Sequence, residues 1–345
     1  MKLRQKMEKI SVGIFGASGL VGKEIIQLLE SHNNLDIHFF TSENSLNQEV
    51  KFQNQTYYYA LPNENEIKNL NIAFFAASSE ISKKWIPFCT KHGIYCIDNS
   101  SAFRTDDTVP LIIPEINQEK IKKSLLIASP NCTTTLMALA LFPLQEQFGL
   151  KRVYASTYQA ASGGGKALMQ KLFTNTHSQL NQFSTDDINS YGFNLFLHSW
   201  PHDENLYSEE ETKIIFETKK ILQTPSLPIN VTCVRVPSLR AHAIALNIEL
   251  LNDSSIDQVK LALDQFEGIE AYPDKANEFA TPLFATGKKP IFYSRLRKDL
   301  SKKNSYDLWI VGDQLLKGAA LNAYQVFISI LSQNFIKASY SNSSS

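Results

Sequence analysis

Cys132 stands in the segment Ser129-Pro130-Asn131-Cys132-Thr133-Thr134-Thr135, between a short apolar run and a long stretch with helical spacing. A thiol at a helix N-terminus faces the positive end of the helix dipole, which lowers its pKa and favours the nucleophilic thiolate. Covalent catalysis uses that state. A small cysteine packed beneath a capped helix is the structural alternative, and the strand–turn–helix setting with three threonines weighs against it.

A second motif, Gly16-Ala17-Ser18-Gly19-Leu20-Val21-Gly22, follows an apolar strand and opens a helix. Its glycines let a turn close and a phosphate approach the backbone, while the helix N-terminus offers N–H groups to the anion. This is a dinucleotide signal, with a plain tight turn as its alternative. After the next strand, Thr41-Ser42-Glu43-Asn44-Ser45 combines hydroxyls that suit a 2′-phosphate with a carboxylate that suits free ribose hydroxyls. On these residues alone NADP and NAD both stay open.

Three further groups carry polar chemistry. Gln159 precedes Ala160-Ala161-Ser162-Gly163-Gly164-Gly165, where a neutral amide can orient a carbonyl and successive glycines admit a flat ligand; a flexible loop is an equal reading. Arg235 and His242 begin and end the turn between two apolar strands, so a hairpin would bring a guanidinium for a carboxylate near an imidazole for proton transfer. Glu210 and Lys213 lie three apart on a predicted helix and share a face, which by itself describes a solvated ion pair. Arg104, in Asp98-Asn99-Ser100-Ser101-Ala102-Phe103-Arg104, reads by itself as loop polarity.

These residues need a scaffold, and the hydrophobic pattern supplies one. Apolar strands at 10–15, 36–41, 71–77, 94–98 and 125–129 alternate with helices, including one over 79–93 closed by Gly93. That alternation predicts a mostly parallel sheet covered on both faces. Past residue 130 come a long apolar helix over 133–148 and strands with period-two alternation, which predict an antiparallel, half-solvated sheet in a second, α+β domain. The stretch 173–230 reads as a variable cap with a helix near 205–223. A last helix over 315–332 returns to the first domain, and the tail at 339–345 reads as frayed.

Composition narrows the classes. The chain has 345 residues, with 34 basic and 34 acidic side chains, and is 43% hydrophobic. A formal charge of zero without a basic block gives nucleic acid no footprint. The four cysteines, at 89, 96, 132 and 233, contain no C-x-x-C pair, so neither a disulfide framework nor a bound metal is expected. No run of eighteen apolar residues predicts a membrane span, and the glycine-broken start does not read as a secretory leader, so the expected location is the cytoplasm with reduced thiols.

Taken in order, GASGLVG, DNSSAFR, PNCTTT, QAASGGG, EEETK, RVPSLRAH and KGAALNAYQ resemble aspartate-β-semialdehyde dehydrogenases over nearly the whole chain. The resemblance implies an α/β fold like that of glyceraldehyde-phosphate dehydrogenase. A Rossmann-type parallel-sheet NADP-binding domain would take 1–131 with 316–345, and an α+β catalytic and dimerisation domain would take 132–315. It implies NADPH-dependent conversion of L-aspartyl-4-phosphate into L-aspartate 4-semialdehyde and phosphate, in a homodimer or homotetramer without metal. Cys132 matches the nucleophile, His242 the acid/base and Gln159 the residue that positions the acyl group. Arg235 matches the clamp on the substrate carboxylate and Glu210 the partner of its ammonium, while Arg104, Asn131 and Lys213 match the phosphate site. The cofactor residues that match are Gly16, Ser18, Gly19, Leu20, Val21, Ser42, Ser45, Ser162, Gly163 and Asn322.

Two departures stand out. Asn44-Ser45-Leu46-Asn47 replaces a common R-S-A-G, removing an arginine suited to a 2′-phosphate. The final motif reads Gly312-Asp313-Gln314-Leu315-Leu316-Lys317, where an Asn and an Arg are common. The rival chemistry is that of N-acetyl-γ-glutamyl-phosphate reductases, whose S-N-P-G-C-Y pattern is absent here and whose acetylated substrate has no charge for Glu210. A non-catalytic NADP-binding relative would be expected to lose the thiol, the imidazole or the arginine, and all three are present.

Overall fold

The computed structural model describes residues 9–198, 204–273 and 278–332, so the tail at 339–345 lies outside the described residues. Two compact units divide the chain. One takes the residues up to Ser129 and those from Ala320 onward, the other Pro130–Ala319.

In the first unit, β1 (Ile10–Phe15), β2 (Leu35–Phe40), β5 (Ile72–Phe75), β6 (Tyr95–Asp98) and β7 (Leu126–Ala128) form a parallel sheet in the order β2-β1-β5-β6-β7. A small antiparallel pair, β3 (Glu49–Phe52) with β4 (Gln55–Tyr58), stands apart from it. The strands are mostly apolar because both faces are covered, with Asp36 of β2 left exposed. On one face Val12, Ile14, Ile72, Phe74 and Ile127 share a core with Ile25 and Leu29 of α1 (Leu20–Leu29) and with Phe327 of the final helix, Leu321–Ser332. On another side the Phe15 and Phe75 rings stack at 4.3 Å. Strand order reverses between β1 and β5, the switch point at which open parallel sheets bind ligands. Gly16 turns the chain there at φ +79°, and a Cβ would lie 2.3 Å from the Ala76 carbonyl oxygen. Only glycine fits.

In the second unit a seven-stranded sheet runs in the order β12-β13-β14-β11-β8-β10-β9. Its members are β8 (Leu150–Gln159), β9 (Phe196–Leu197), β10 (Ile229–Arg235), β11 (His242–Leu250), β12 (Ile269–Ala271), β13 (Ile291–Lys298) and β14 (Ser305–Gly312). The sheet is mixed, not purely antiparallel: β10 runs parallel to β8, and β12 parallel to β13. The hairpin expected between the strands of Arg235 and His242 does not form, because β8 lies between β10 and β11. Pairing β10 with β8 needs a crossover, which the chain makes through the elements that follow β8.

Three helices matter for the site. Ser79–Lys91 is α2, and α3 (Cys132–Phe148) is buried along Leu136–Leu141. Each leucine buried there contributes roughly 2 kcal/mol, which anchors the helix that begins at Cys132. The 173–230 stretch is more regular than its composition suggests, with α4 (Gly165–Asn181) entering it and α5 (Glu209–Leu222) crossing it. The segment read as one helix over 315–332 is helical from Leu316 to Ser332, opening with a π-helix, Leu316–Ala320, that is followed directly by the final α-helix. Among the described residues no helix is long and apolar enough to cross a membrane.

Candidate active site

Cys132 is the first residue of α3 and Asn131 its N-cap. A cap oxygen satisfies N–H groups that a helix start leaves without intrahelical partners. Asn131 Oδ1 accepts from Thr133 N at 2.8 Å and Thr134 N at 3.2 Å. The rest of Asn131 is tied to α5: Nδ2 donates to Glu210 Oε1 at 3.0 Å, and the main-chain N–H donates to Glu217 Oε2 at 2.6 Å. Cys132 is half-buried, whereas Cys89, Cys96 and Cys233 are buried, and burial pushes the thiols of Cys96 and Cys233 up. Position and exposure thus single out Cys132 as the nucleophile candidate.

Glu210 also joins Gln159. Gln159 Nε2 donates to Glu210 Oε1 at 3.2 Å, so one carboxylate oxygen holds the amides of both Asn131 and Gln159. The first turn of α5 is fixed by a capping box between Ser208 and Glu211, and Glu211 Oε1 accepts Cys233 N of β10 at 2.9 Å. Lys213 departs from the expected pairing: its Nζ meets Glu209 Oε1 at 2.6 Å, an i,i+4 pair in the favoured Glu-to-Lys direction.

At the end of β8 the peptide groups flanking one residue hold a cation and an imidazole. Ala160 O accepts from Arg235 Nη1 at 2.6 Å, and Ala160 N donates to His242 Nδ1 at 3.0 Å. The second bond fixes the neutral ring as the tautomer with its proton on Nε2. His242 is fully buried; burial, then Arg235, pushes its pKa down to about 3. Its Nε2 has no hydrogen-bond partner among the described residues, a costly state unless a ligand supplies one. Gly163 faces this atom: a Cβ there would stand 3.1 Å from Nε2 and 2.9 Å from Arg235 Nη1. The neighbouring Ser162 Oγ accepts from Gln314 Nε2, and Gln314 Oε1 accepts from Ala241 N at 2.7 Å, fixing the start of β11.

The second unit therefore gathers Asn131, Cys132, Gln159, Glu210, Arg235, His242, Ser162 and Gly163, and turns Lys213 toward Glu209. Sequence reasoning passed over Glu217, although it lies seven residues from Glu210 and so on the same helical face. It treated Gln314 and Asp313 only as departures, yet Asp313 Oδ2 accepts from Arg240 Nε at 2.7 Å. His198, also unremarked, is held to a pKa of about 4 by burial and then by Arg235. Nothing in its local sequence marks it.

The first unit holds a cavity of about 540 Å³ at the switch point, lined by Gly16, Ser18, Gly19 and Ser42 with Thr41, Glu43 and Lys84. Ser18 Oγ and Thr41 Oγ1 hydrogen-bond at 2.7 Å. The N-cap of α1 is Gly19, which lends no side chain, so the N–H groups around Leu20 and Val21 are left for an anion. Ser45 ends a short turn, Glu43–Ser45, and is not on the cavity wall. Nor is Asn322, which is buried and donates to Ile112 O at 2.9 Å. Arg104 is buried too, with Nε on Ser129 O at 2.8 Å and Nη2 on Asn99 O at 2.7 Å. Among the described residues no group of three or more His, Cys, Asp or Glu side chains could hold a metal ion.

Residues 11–124 match the family described as semialdehyde dehydrogenase, NAD binding domain, and residues 141–317 match semialdehyde dehydrogenase, dimerisation domain. The chain is 38% identical over 332 residues to the aspartate-semialdehyde dehydrogenase of Prochlorococcus marinus, covering 94% of this chain and 97% of that one. It is 34% identical over 342 residues to the Bacillus subtilis enzyme of the same name, covering 95% and 99%. The crystal structure of aspartate semialdehyde dehydrogenase II from Vibrio cholerae, complexed with ASA, matches with a TM-score of 0.90 at 34% identity, over 95% of this chain and 100% of that one.

Proposed function

The chain belongs to the aspartate-semialdehyde dehydrogenase family, and from that premise we propose how its residues reduce L-aspartyl-4-phosphate to L-aspartate 4-semialdehyde through a thioester on Cys132. The carrying observation is the continuous network from the capped Cys132 turn through Glu210 and Gln159 to Ala160, Arg235 and His242. It presents a nucleophile, a neutral amide, a guanidinium, a carboxylate and an imidazole in one unit.

The Cys132 thiolate forms a C–S bond to the acyl carbon as the C–O bond to phosphate breaks, and phosphate leaves. Gln159 orients the acyl oxygen. Arg235 takes the α-carboxylate and Glu210 the α-ammonium, a charge match to a zwitterionic amino acid. Lys213 and the second hydrogen of Asn131 Nδ2 receive the phosphate. NADPH, when bound, supplies the hydride that reduces the thioester. The His242 Nε2–H hydrogen-bonds the oxyanion of the tetrahedral adduct, which re-forms C=O as the C–S bond breaks, giving the aldehyde and returning Cys132 as thiolate.

The family domain in the first unit is an NAD-binding one, and the uncapped α1 turn fits a pyrophosphate. NADPH is the reading that the Ser18, Thr41, Ser42 and Lys84 donors support, while Glu43 on the same wall favours NAD. The product feeds lysine, diaminopimelate, threonine and methionine biosynthesis. The chain works as a homodimer through its second unit, in the cytoplasm, where the thiol stays reduced.

The test follows NADPH formation from L-aspartate 4-semialdehyde, NADP and phosphate, omitting each in turn and substituting NAD or N-acetylglutamate semialdehyde. Phosphate-dependent activity confined to the aspartate substrate supports the reading. Activity confined to the acetylated substrate overturns it.

A further inference from the structure

Asn131 caps α3, but the third residue of that helix, Thr134, is too short to reach back to the Asn131 N–H. In α5 and in α6 (Ile256–Asp264) that task falls to Glu211 and Gln258, each the third residue of its own helix. A capping box of that kind closes the exposed donor at a helix start. At Cys132 the corresponding acceptor comes from another helix: Glu217 of α5, 1% exposed, accepts the Asn131 N–H at 2.6 Å.

From this we infer that Glu217 is a positioning residue for the thioester chemistry, completing the cap of the nucleophile's helix from outside it. The inference rests on the reading of Cys132 as nucleophile. Glu210 and Glu217 lie seven residues apart, about two turns or roughly 10 Å along one face of α5. One accepts the side-chain amide of Asn131 and the other its main-chain N–H. With Oδ1 taken by Thr133 and Thr134, Asn131 is held at every polar atom of its side chain and at its N–H. Cys132 follows directly, so its Sγ inherits the orientation of that turn. Its effect is carried through Asn131, the residue beside Cys132. A displacement of the sulfur by about 1 Å costs on the order of a hundredfold in rate.

The experiment compares E217A, E217Q and E217D in the full-length protein by steady-state kinetics, iodoacetamide alkylation of Cys132 across pH, and thermal unfolding. Glutamine keeps an oxygen at the same reach, whereas aspartate withdraws the carboxylate by about 1.5 Å. The expected result is a kcat loss of about ten- to a hundredfold in E217A and E217D, with KM within about threefold and slower alkylation at its high-pH plateau. E217Q restores most of both rates. Wild-type kcat and alkylation in E217A overturn the inference, as does E217D matching or exceeding E217Q, a comparison that decides the matter even if E217A does not fold. Failure of the nucleophile reading shows separately, as a C132S variant that still turns over.

Discussion

The main-chain N–H of Ala160 donates to His242 Nδ1 at 3.0 Å, which leaves the imidazole proton on Nε2, the atom that faces Gly163. The ring is thereby presented as a hydrogen-bond donor to an oxygen that develops negative charge. Its depressed pKa, about 3, keeps it neutral throughout the physiological range.

Replacing His242 by Gln tests that role. H242Q is expected to lower kcat by about a hundredfold or more. Because the wild-type ring is already neutral, the acid limb of the kcat profile above about pH 5 should remain in the variant. A wild-type limb near pH 6.5 that H242Q abolishes would contradict the assignment.

The same depression has a signed effect on stability. Below its ordinary 6.5 the unfolded chain takes up a proton at His242 that the folded chain refuses until about pH 3. The contribution is therefore complete above 6.5 and lost progressively as pH falls through that window. Denaturant unfolding of wild type and H242Q at several pH values should show a shallower acid-side decline in the variant; equal slopes would count against the buried neutral ring.

Glu210 is expected to act on binding more than on turnover. E210Q keeps an oxygen for Asn131 and Gln159 but loses the charge that meets the substrate ammonium. KM for L-aspartate 4-semialdehyde should rise by about tenfold or more, with a smaller change in kcat. An unchanged KM would remove Glu210 from the substrate site.

Lys213 and Glu209 separate a surface pair from a functional cation. Glu209 is 64% exposed, so E209Q should alter stability by about 0.5 kcal/mol or less and leave kinetics unchanged. K213A should raise the KM for phosphate in the reverse assay. If both variants behave alike, Lys213 belongs only to the ion pair.

These particulars show which parts of the molecule are written locally. The glycine turn after β1, the Asn131-capped start of α3 and the strand–helix alternation each depend on neighbours a few residues away, and all can be read from the sequence. The insertion of β8 between β10 and β11 cannot, because strand neighbours far apart in the chain leave no short-range mark. Glu217 shows the same limit: its spacing from Glu210 is visible, but its partner lies 86 residues away. The partner of Lys213 is hidden for a subtler reason, since Glu209 and Glu210 are equally plausible until the helix face turned toward Asn131 is known. Ser45, read from the hydroxyls after β2, and Asn322, taken from resemblance alone, are not on the wall of the switch-point cavity.

The most direct test of the whole account is turnover of C132S beside wild type, with thiol accessibility and nucleotide binding measured on the same samples. A serine alcohol at Cys132 cannot replace an activated thiolate, so phosphate-dependent NADPH formation should fall by about a thousandfold or more while nucleotide binding persists. Turnover within about tenfold of wild type would contradict covalent catalysis through Cys132.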